Sequence, residues 1–444
     1  MPAGLIFITG ATGFIGSAVA LEALNAGYSL RISIRKESQI PKLKKILSQF
    51  EDKIEFVVVP DITQESSFAG KLEGVEYVLH LASPLPHGTN KETYFGPAVK
   101  GTTAILKEAA KVRTVKRVVI TSSMAALIPL TGVPEGEFVR EDTGWDLSVD
   151  PNADFTGPDD AATSFRLYRA SKLLANNASW EFRNTAKPHF ALVTLHPAYV
   201  FGHNHVQTSP EEVQGGTNGM LWGTIMTGKP MGNSTGVHVR DVAEAHIKAL
   251  DETVPDGSKF LLAGKRASWS DVARIVKRDY PDIGAKITED ISGEPFPLDT
   301  TEAEKVLGMK WRSLDQMVKD VVDQQLELMR QTSLLADLAN RFPPMILEYA
   351  DIFEVSPRMN SLYKTRESRC YFQVARVRRQ LRQFDCLVIT DVEFDINYNA
   401  IAGGDQQTAI DAVTKGLEVG SIIASIDLMS IAKPGTENDP LQSE

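Results

Sequence analysis

Three side chains have the types and spacing needed for hydride transfer coupled to proton transfer. Tyr168 and Lys172 are four residues apart in a segment with helical spacing, so they lie on one helical face. Ser123 ends an apolar run, Val118–Ile120, that continues into three hydroxyl residues. Tyr168 would donate its phenolic proton to a carbonyl oxygen being reduced, while Ser123 hydrogen-bonds that oxygen. We therefore predict that Ser123, Tyr168 and Lys172 are catalytic.

Lys172 is needed because a free phenol has a pKa near 10, too high for efficient proton exchange at neutral pH. An ammonium about 4 Å away, at an effective dielectric of about 20, favours the phenolate by roughly 4 kcal/mol. That energy equals about three pKa units before screening. A Tyr and a Lys at this spacing are also common as an ordinary pair on a helix surface. Their position after the fifth predicted strand, with Ser123 ending that strand, favours the catalytic interpretation.

A glycine-rich segment near the start of the chain predicts a dinucleotide site. Thr9–Gly16 lies between an apolar strand, Leu5–Ile8, and a helix that starts at Ser17 and stops at Gly27. The first glycine allows a tight turn, the second lets the backbone approach a pyrophosphate, and the third lets the helix pack against the strand. Free N–H groups at the helix start would face the anion. A tight turn without a ligand is the alternative. The predicted cofactor-binding residues here are Gly10, Thr12, Gly13, Phe14, Ile15 and Gly16.

The residue at the end of the second strand indicates whether the coenzyme is NAD or NADP. It runs over Ser29–Arg35, and in a dinucleotide fold it ends beside the adenosine ribose. An acidic residue there would hold the 2′-hydroxyl of NAD, whereas the planar fork of an arginine suits the 2′-phosphate of NADP. Arg35 therefore favours NADP over the alternative of a solvated basic strand end. Lys36 and Lys42 both qualify as a second phosphate ligand.

The next strand ends carry further candidates. Asp61 follows the third strand, Ile54–Val59, and would either accept a hydrogen bond from the adenine amino group or cap the next helix. The small residues Ala82 and Ser83 follow the fourth strand, where they would let the chain pass close to the cofactor. His80, at the end of that strand, is predicted to be structural.

The order of elements predicts an α/β fold. Strands alternate with helices, which implies a doubly wound parallel Rossmann sheet with right-handed crossovers. Residues 135–164 are rich in Asp, Gly and Pro and predict a surface loop, and a later helix is expected to start at Val237. We expect a reductase unit over residues 1–331, with a smaller substrate lobe mainly at 199–225 and 261–329.

Bulk composition narrows the class of function. The chain has 444 residues, 43% of them hydrophobic, and a net charge of −10, which argues against nucleic-acid binding. It contains no apolar run long enough for a membrane span. Because the first strand is predicted to start within a few residues of Met1, we expect no signal peptide. Two cysteines, Cys370 and Cys386, suit a reducing compartment. We expect a cytoplasmic protein, without a metal site, that is a monomer or homodimer.

Taken together, these motifs resemble an extended short-chain dehydrogenase/reductase. They are Thr9–Gly16, Val59–Ile62, Leu79–Pro84, Thr121–Ser123, Tyr168–Lys172, Pro197–Gly202 and Val239–His246. The pattern is most similar to the NADPH-dependent reductase branch, which includes dihydroflavonol, cinnamoyl-CoA and yeast methylglyoxal reductases. The resemblance implies the same catalytic residues and implies that Arg35, Asp61, Ile62, Pro197 and Val200 contact NADP. Tyr168 and Lys172 would also contact the cofactor. Residues 334–444 have no counterpart in it, and we expect an extension of unknown fold, partly disordered.

The substrate is expected to be a hydrophobic aldehyde or ketone. Its wall would come from Leu85, Pro86, Ala125, Tyr199 and the region 206–222, which are mostly apolar or aromatic. The segment around Pro197 lacks the arginine that nucleotide-sugar epimerases use on a diphosphate, so an NAD-dependent epimerase or dehydratase is second among enzyme interpretations. The alternative from another class is a non-catalytic NADP-sensing protein with a partner-binding tail.

Overall fold

The computed structural model describes residues 4–83, 88–341, 370–373 and 393–396. The chain divides into two compact units, Met1–Leu328 and Met329–Glu444. In chain order the helices and strands up to residue 341 are β1 (Leu5–Thr9), α1 (Phe14–Asn25), β2 (Ser29–Ile34), α2 (Ile40–Ile46), β3 (Ile54–Val58), β4 (Tyr77–His80), α3 (Phe95–Lys111), β5 (Arg117–Thr121), α4 (Asp160–Ala186), β6 (Ala191–Pro197), β7 (Tyr199–Phe201), α5 (Thr217–Thr227), β8 (Gly236–His238), α6 (Val239–Lys248), β9 (Lys259–Leu262), α7 (Trp269–Asp279), α8 (Thr301–Val306) and α9 (Leu314–Arg341). In the second unit, β10 (Cys370–Gln373) pairs antiparallel with β11 (Glu393–Ile396).

The first unit contains a seven-stranded sheet in the order β3-β2-β1-β4-β5-β6-β9. Every neighbouring pair in it is parallel. The strand order reverses between β1 and β4, and open sheets of this kind bind ligands outside the carboxyl ends of strands at such a switch point. The predicted doubly wound Rossmann sheet is therefore confirmed.

Both faces of the sheet are buried, as the continuous apolar strands require. Side chains alternate along β1, so Ile6 and Ile8 belong to one apolar cluster and Phe7 to the other. Helices α1 and α6 pack together in the first cluster, and α3 packs against α4 on the opposite side. This arrangement fixes the start of α1 and the middle of α4 relative to the strand ends.

A third apolar cluster forms the core of the smaller lobe. It combines residues of α5, α7 and α9 around the buried Trp269 and Phe201. The two-stranded parallel sheet of β7 and β8 lies at its edge. The buried Asp241, on α6, forms an ion pair with Arg312 and so connects this lobe to the sheet layer.

Several local predictions were wrong at their boundaries. The helix expected from Val237 begins at Val239, because Val237 pairs with Val200 in β8 and Nδ1 of His238 accepts the N–H of Arg240 as a cap. The loop predicted to reach residue 164 ends at Asp159, whose carboxylate caps α4. The predicted alternation of strands and helices would place a helix in the crossover from β3 to β4. The structure has only a short 3₁₀ turn there, Glu65–Ser67.

The predicted extension at 334–444 lies outside the described residues, apart from the backbone of the end of α9 and of β10 and β11. None of the helices that the structure describes is both long and apolar enough to cross a bilayer.

Candidate active site

The predicted site residues gather along one edge of the parallel sheet. They stand at or just beyond the carboxyl ends of successive strands: Gly10 after β1, Arg35 after β2, Asp61 after β3, Ala82 and Ser83 after β4, Ser123 after β5, and Pro197 at the end of β6. Helix α4, which carries Tyr168 and Lys172, packs against the 3₁₀ helix Met124–Leu127 that Ser123 caps. The fold therefore brings the catalytic and cofactor candidates to one edge.

In the turn between β1 and α1, each of the three glycine positions favours glycine for a different physical reason. Gly10 has a φ of +80°, which favours glycine, and a Cβ there would lie 2.7 Å from the Ala82 nitrogen. A Cβ on Gly16 would lie 2.0 Å from the Gly10 oxygen, so the packing of α1 on the turn excludes it. A Cβ on Gly13 would meet only the Gly10 oxygen, at an ordinary 3.5 Å. Gly13 thus fits a cradle that a dinucleotide pyrophosphate would approach closely.

The first turn of α1 is open to an anion. Gly13 is its N-cap and supplies no side-chain hydrogen bond, and no acidic residue lies in the first turn. The N–H groups of Phe14, Ile15 and Gly16 therefore point out of the helix start, where a phosphate is stabilised by the helix dipole. Thr12 lies half-buried in the same turn.

Thr9 fastens the glycine turn to the end of β4. Its Oγ1 accepts hydrogen bonds from the Leu81 and Ala82 nitrogens, at 3.2 and 3.1 Å, and lies 2.9 Å from Nδ1 of His80. Because both lone pairs are used, the Thr9 proton goes to His80 Nδ1, so this histidine carries its own proton on Nε2. Burial, with a smaller effect of Lys172, lowers the pKa of His80 to about 4. His80 is therefore neutral, and its contact with Thr9 has a structural role.

The end of β2 presents exposed cations. Gln39 Oε1 accepts the backbone N–H groups of Arg35 and Lys36, at 2.8 and 3.2 Å, and so fixes this turn. Arg35, Lys36 and Lys42 are all exposed. Asp61 accepts hydrogen bonds from the Thr63 nitrogen and hydroxyl, which with the nearby Arg35 hold the pKa of its carboxyl below the usual value. Asp61 forms a local turn and does not cap the next helix, whose N-cap is Gln64.

Ser123 is held from two sides. Its Oγ accepts the Ala125 N–H at 3.2 Å, which leaves the hydroxyl proton free to be donated to another acceptor. Its carbonyl oxygen lies 3.0 Å from Nδ1 of His196, on β6. The other ring nitrogen of His196 lies 2.8 Å from the Thr194 hydroxyl. Sequence analysis missed His196, because nothing local in the sequence links it to a residue 73 positions away.

Tyr168 and Lys172 share one face of α4 as the spacing predicts. The Lys172 Nζ lies 5.6 Å from the centre of the Tyr168 ring, within the range of a cation–π contact. It also donates to Ser83 Oγ at 3.3 Å, which places the ammonium beside the end of β4. Arg169 donates to the carbonyls of Pro129 and Leu130, so α4 is fixed against the segment after β5.

An apolar wall stands beside the Tyr168 end of α4. Tyr199 interacts electrostatically with Tyr168, and its pKa is raised mainly by burial. A Cβ on Gly232 would lie 2.6 Å from the Tyr199 ring and 3.1 Å from the Met220 sulfur, so these three residues pack together. Met220 and Met231 remain exposed. Met231 lies outside the predicted 206–222 region, and the predicted Leu85 and Pro86 lie outside the described residues.

Three predicted contact residues are buried. Val200 is 4% exposed and belongs to the apolar cluster between the sheet and α1, while Pro197 and Ala125 are buried at the same strand edge. Only the backbone of Val200 is therefore available to a cofactor. Ile62 is half-buried against the other face of the sheet. Among the residues that the structure describes, no group of three or more acidic, His or Cys side chains is placed to hold a metal.

Comparison of the sequence and the structure with known proteins identifies several relatives of this chain. The profile of the NAD dependent epimerase/dehydratase family matches residues 6–263. The chain is 55% identical over 327 residues to a ketoreductase of Aspergillus fumigatus, which covers 73% of this chain and 98% of that protein. It is 30% identical over 364 residues to an NAD-dependent epimerase/dehydratase of Gibberella moniliformis, with 73% and 96% covered. The crystal structure of yeast methylglyoxal/isovaleraldehyde reductase complexed with NADPH superposes with a TM-score of 0.61 at 25% identity, covering 73% and 99%.

Proposed function

Because the chain belongs to the NAD dependent epimerase/dehydratase family, the extended short-chain dehydrogenases/reductases, we propose that it reduces a hydrophobic ketone or aldehyde with NADPH. The observation that carries the proposal is the position of Lys172. Its ammonium lies 5.6 Å from the centre of the Tyr168 ring and 3.3 Å from the Ser83 Oγ at the end of β4. If Tyr168 and Lys172 were only an ordinary pair on a helix surface, they would not have to lie at the switch point of the sheet.

The proposed reaction divides the work among three side chains. NADPH would supply the hydride, which adds to the carbonyl carbon. Tyr168 donates its phenolic proton to the carbonyl oxygen, and Ser123 donates a hydrogen bond that orients the same oxygen. The Lys172 ammonium stabilises the phenolate that remains, because an opposite charge nearby favours the ionised form. The proton is then replaced from solvent, and the product leaves as an alcohol.

The coenzyme preference rests on the end of β2. Arg35 and Lys36 are exposed there, and the Gln39 side chain holds the backbone of the turn. A guanidinium binds a 2′-phosphate through charge-assisted hydrogen bonds, whereas a 2′-hydroxyl offers it no charge. The NADPH complex of the yeast reductase supports the same preference. Phe14, Ile15 and Gly16 would bind the pyrophosphate through their N–H groups.

The substrate class follows from the wall beside Tyr168. Tyr199, Met220 and Met231 offer an aromatic ring and two flexible thioethers, which suit a bulky apolar or aromatic carbonyl compound. The ketoreductase of Aspergillus fumigatus supports a ketone over an aldehyde. Sugar nucleotides are disfavoured because no arginine follows Pro197 in the segment 197–202.

The test is NADPH oxidation, followed by absorbance, with a panel of aliphatic and aromatic ketones, aldehydes and diketones. We expect turnover of bulky ketones by the full-length protein and by a shortened chain that ends at Arg330. The Gibberella moniliformis relative supports an epimerase or dehydratase as a second candidate function. A parallel assay therefore tests UDP-sugars in the presence of NAD. Conversion of a sugar nucleotide without net reduction would overturn the reductase proposal. NADPH binding without any turnover would favour a sensor.

A further inference from the structure

Two exposed methionines belong to the apolar wall beside Tyr168. Met220, on α5, is 38% exposed, and Met231, which follows α5 in the chain, is 41% exposed. Buried methionines such as Met309 and Met317 are only 4% and 2% exposed and belong to apolar clusters. The thioethers of the wall are therefore open to small reagents in solvent, whereas those of the core are not.

Thr224 on α5 connects the two methionines of the wall. Its hydroxyl donates to the Met220 carbonyl and accepts the Met231 N–H, both at 2.9 Å. Gly223 leaves room for the Met231 sulfur, because a Cβ at this position would lie 2.8 Å from it. Residues 220 and 223 are three positions apart and share one face of the helix. Both sulfurs therefore lie along the same face of α5.

The Met220 sulfur also lies beside the aromatic part of the wall. A Cβ on Gly232 would lie 3.1 Å from this sulfur and 2.6 Å from the Tyr199 ring, so the sulfur and the ring are neighbours. Tyr199 in turn interacts electrostatically with Tyr168. Thioethers make favourable contacts with aromatic rings and adapt to the shape of apolar ligands. The chemical state of these sulfurs therefore determines how apolar the wall is.

We propose that Met220 and Met231 form an oxidation site, at which a peroxide converts both thioethers to sulfoxides and so weakens the binding of apolar carbonyl compounds. The sulfur lone pair attacks one peroxide oxygen, and the O–O bond breaks as the S–O bond forms. The transferred oxygen gives its proton to the leaving hydroxide, which departs as water. Each sulfur loses two electrons and each peroxide gains two. The effect on the substrate rests on the proposed reductase function, whereas the modification itself does not.

A sulfoxide changes the wall because its oxygen is a strongly polar acceptor. Burying such an oxygen against an apolar ligand is unfavourable when no donor accompanies it. Oxidation also turns a flexible apolar side chain into a polar, chiral one, which disrupts methionine-rich surfaces. Thiol-dependent sulfoxide reductases reverse the change, one enzyme for each epimer. Oxidation should therefore disfavour bulky aromatic ketones and leave small polar carbonyl compounds, which do not need the wall, largely unaffected.

The first experiment locates the modified residues. The full-length protein is treated with hydrogen peroxide, and sulfoxides are identified by peptide mass spectrometry over time. We expect Met220 and Met231, together with the exposed Met329 on α9, to react well before Met309 and Met317. An aromatic ketone added with NADP should protect the two wall methionines and not Met329. Oxidation of the wall methionines at the rate of Met317 would overturn the proposal.

The second experiment measures the affinity for an aromatic ketone by calorimetry in the presence of NADP, before and after oxidation. We expect the affinity to fall about three- to tenfold, because sulfur–aromatic and apolar contacts are lost. The affinity for a small diketone should change little. A mixture of both sulfoxide reductases should restore the binding of the aromatic ketone.

The variants are compared by the ratio of affinities before and after oxidation, so that their basal affinities do not enter. The double variant Met220→Leu with Met231→Leu contains no oxidisable sulfur in the wall and should lose no affinity on treatment. The matched control is Met329→Leu, which removes an exposed methionine outside the wall and should show the same loss as the natural protein. A loss that persists in the double variant would refute the site.

Turnover of the same ketone, measured in the same samples, separates this proposal from the proposed function. Ketone binding that is sensitive to oxidation but is followed by no turnover would refute the reduction and leave the oxidation site in place. Ketone affinity that is unchanged after oxidation of both methionines would refute the oxidation site and leave the reduction in place. Absence of ketone binding to the natural protein would refute both.

Discussion

Nδ1 of His196 lies 3.0 Å from the carbonyl oxygen of Ser123, although the two residues are 73 positions apart. The Ser122 nitrogen also donates to the Leu195 carbonyl, so β6 holds the backbone on both sides of the serine hydroxyl. The other nitrogen of His196 pairs with Thr194. This contact fixes the direction in which Ser123 leaves the sheet.

Replacing His196 should therefore impair catalysis through Ser123. His196→Leu removes the donor, and we expect kcat to fall about tenfold at unchanged NADPH affinity, since one hydrogen bond contributes about 1 kcal/mol. His196→Asn keeps a donor near the Nδ1 position and should recover kcat. Steady-state kinetics measures the effect of each variant on catalysis, and thermal unfolding measures its effect on stability. A loss of stability with normal kcat in both variants would contradict the positioning role.

Tyr168→Phe should strongly reduce turnover and preserve NADPH binding. General acid catalysis contributes about 10²–10⁴-fold, so kcat should fall by this factor. Binding is measured by fluorescence titration with NADPH. The control is Tyr280→Phe, which removes a hydroxyl bonded to Asp323 in the smaller lobe and should not change kcat. Retained turnover in Tyr168→Phe would exclude the proposed proton donor.

Arg35→Ala should change the coenzyme preference. Hydrogen bonds to charged groups contribute about 1.5–3 kcal/mol, so the KM for NADPH should rise about 10- to 100-fold and that for NADH little. Lys36→Ala and Lys42→Ala, measured separately, identify the second phosphate ligand by the larger effect on NADPH. Lys44→Ala, an exposed lysine on α2, is the control. Equal changes for both coenzymes in Arg35→Ala would refute the NADP preference.

Two glycine variants should separate folding from cofactor binding. Gly16→Ala places a Cβ 2.0 Å from the Gly10 oxygen, and we expect a loss of about 3 kcal/mol in the free energy of unfolding. Gly13→Ala meets nothing closer than 3.5 Å and should change stability by less than about 1 kcal/mol. It should nevertheless weaken NADPH binding at least tenfold. Urea unfolding and titration measure the two quantities. Full NADPH affinity in Gly13→Ala would argue against a cofactor at this turn.

Acid should unfold the protein through its buried histidines. Burial lowers the pKa of His80, His196 and His246 to about 4 from the ordinary 6.5. Between these values the unfolded chain binds protons that the folded chain does not, so stability falls as pH drops from 6.5 to 4. Each histidine contributes about 3 kcal/mol over this window, against a total stability of about 5–15 kcal/mol. We expect unfolding near pH 5.

Urea unfolding at a series of pH values measures this dependence. His246→Gln should reduce the slope of the unfolding free energy by about one proton within the window. A slope that is flat from pH 6.5 to 4 would show that these histidines bind protons equally in the folded and the unfolded chain.

The sequence by itself determined the features that depend on local pattern. Apolar runs, glycine spacing and the four-residue interval from Tyr168 to Lys172 express the periodicities of strands, tight turns and helices, and the parallel sheet and α4 followed from them. The start of α6 was misplaced because Val237 satisfies a helical pattern and a strand pairing equally well, and its partner Val200 is distant in sequence.

Only the tertiary structure decided which side chains support these residues. The contacts of His196 with Ser123 and of Thr9 with His80 join strands whose separation along the chain carries no periodic signal. Hydrogen bonds depend on atomic position to within a few tenths of an ångström. Such positions are fixed by packing of the whole sheet, so residue types and intervals could not predict them.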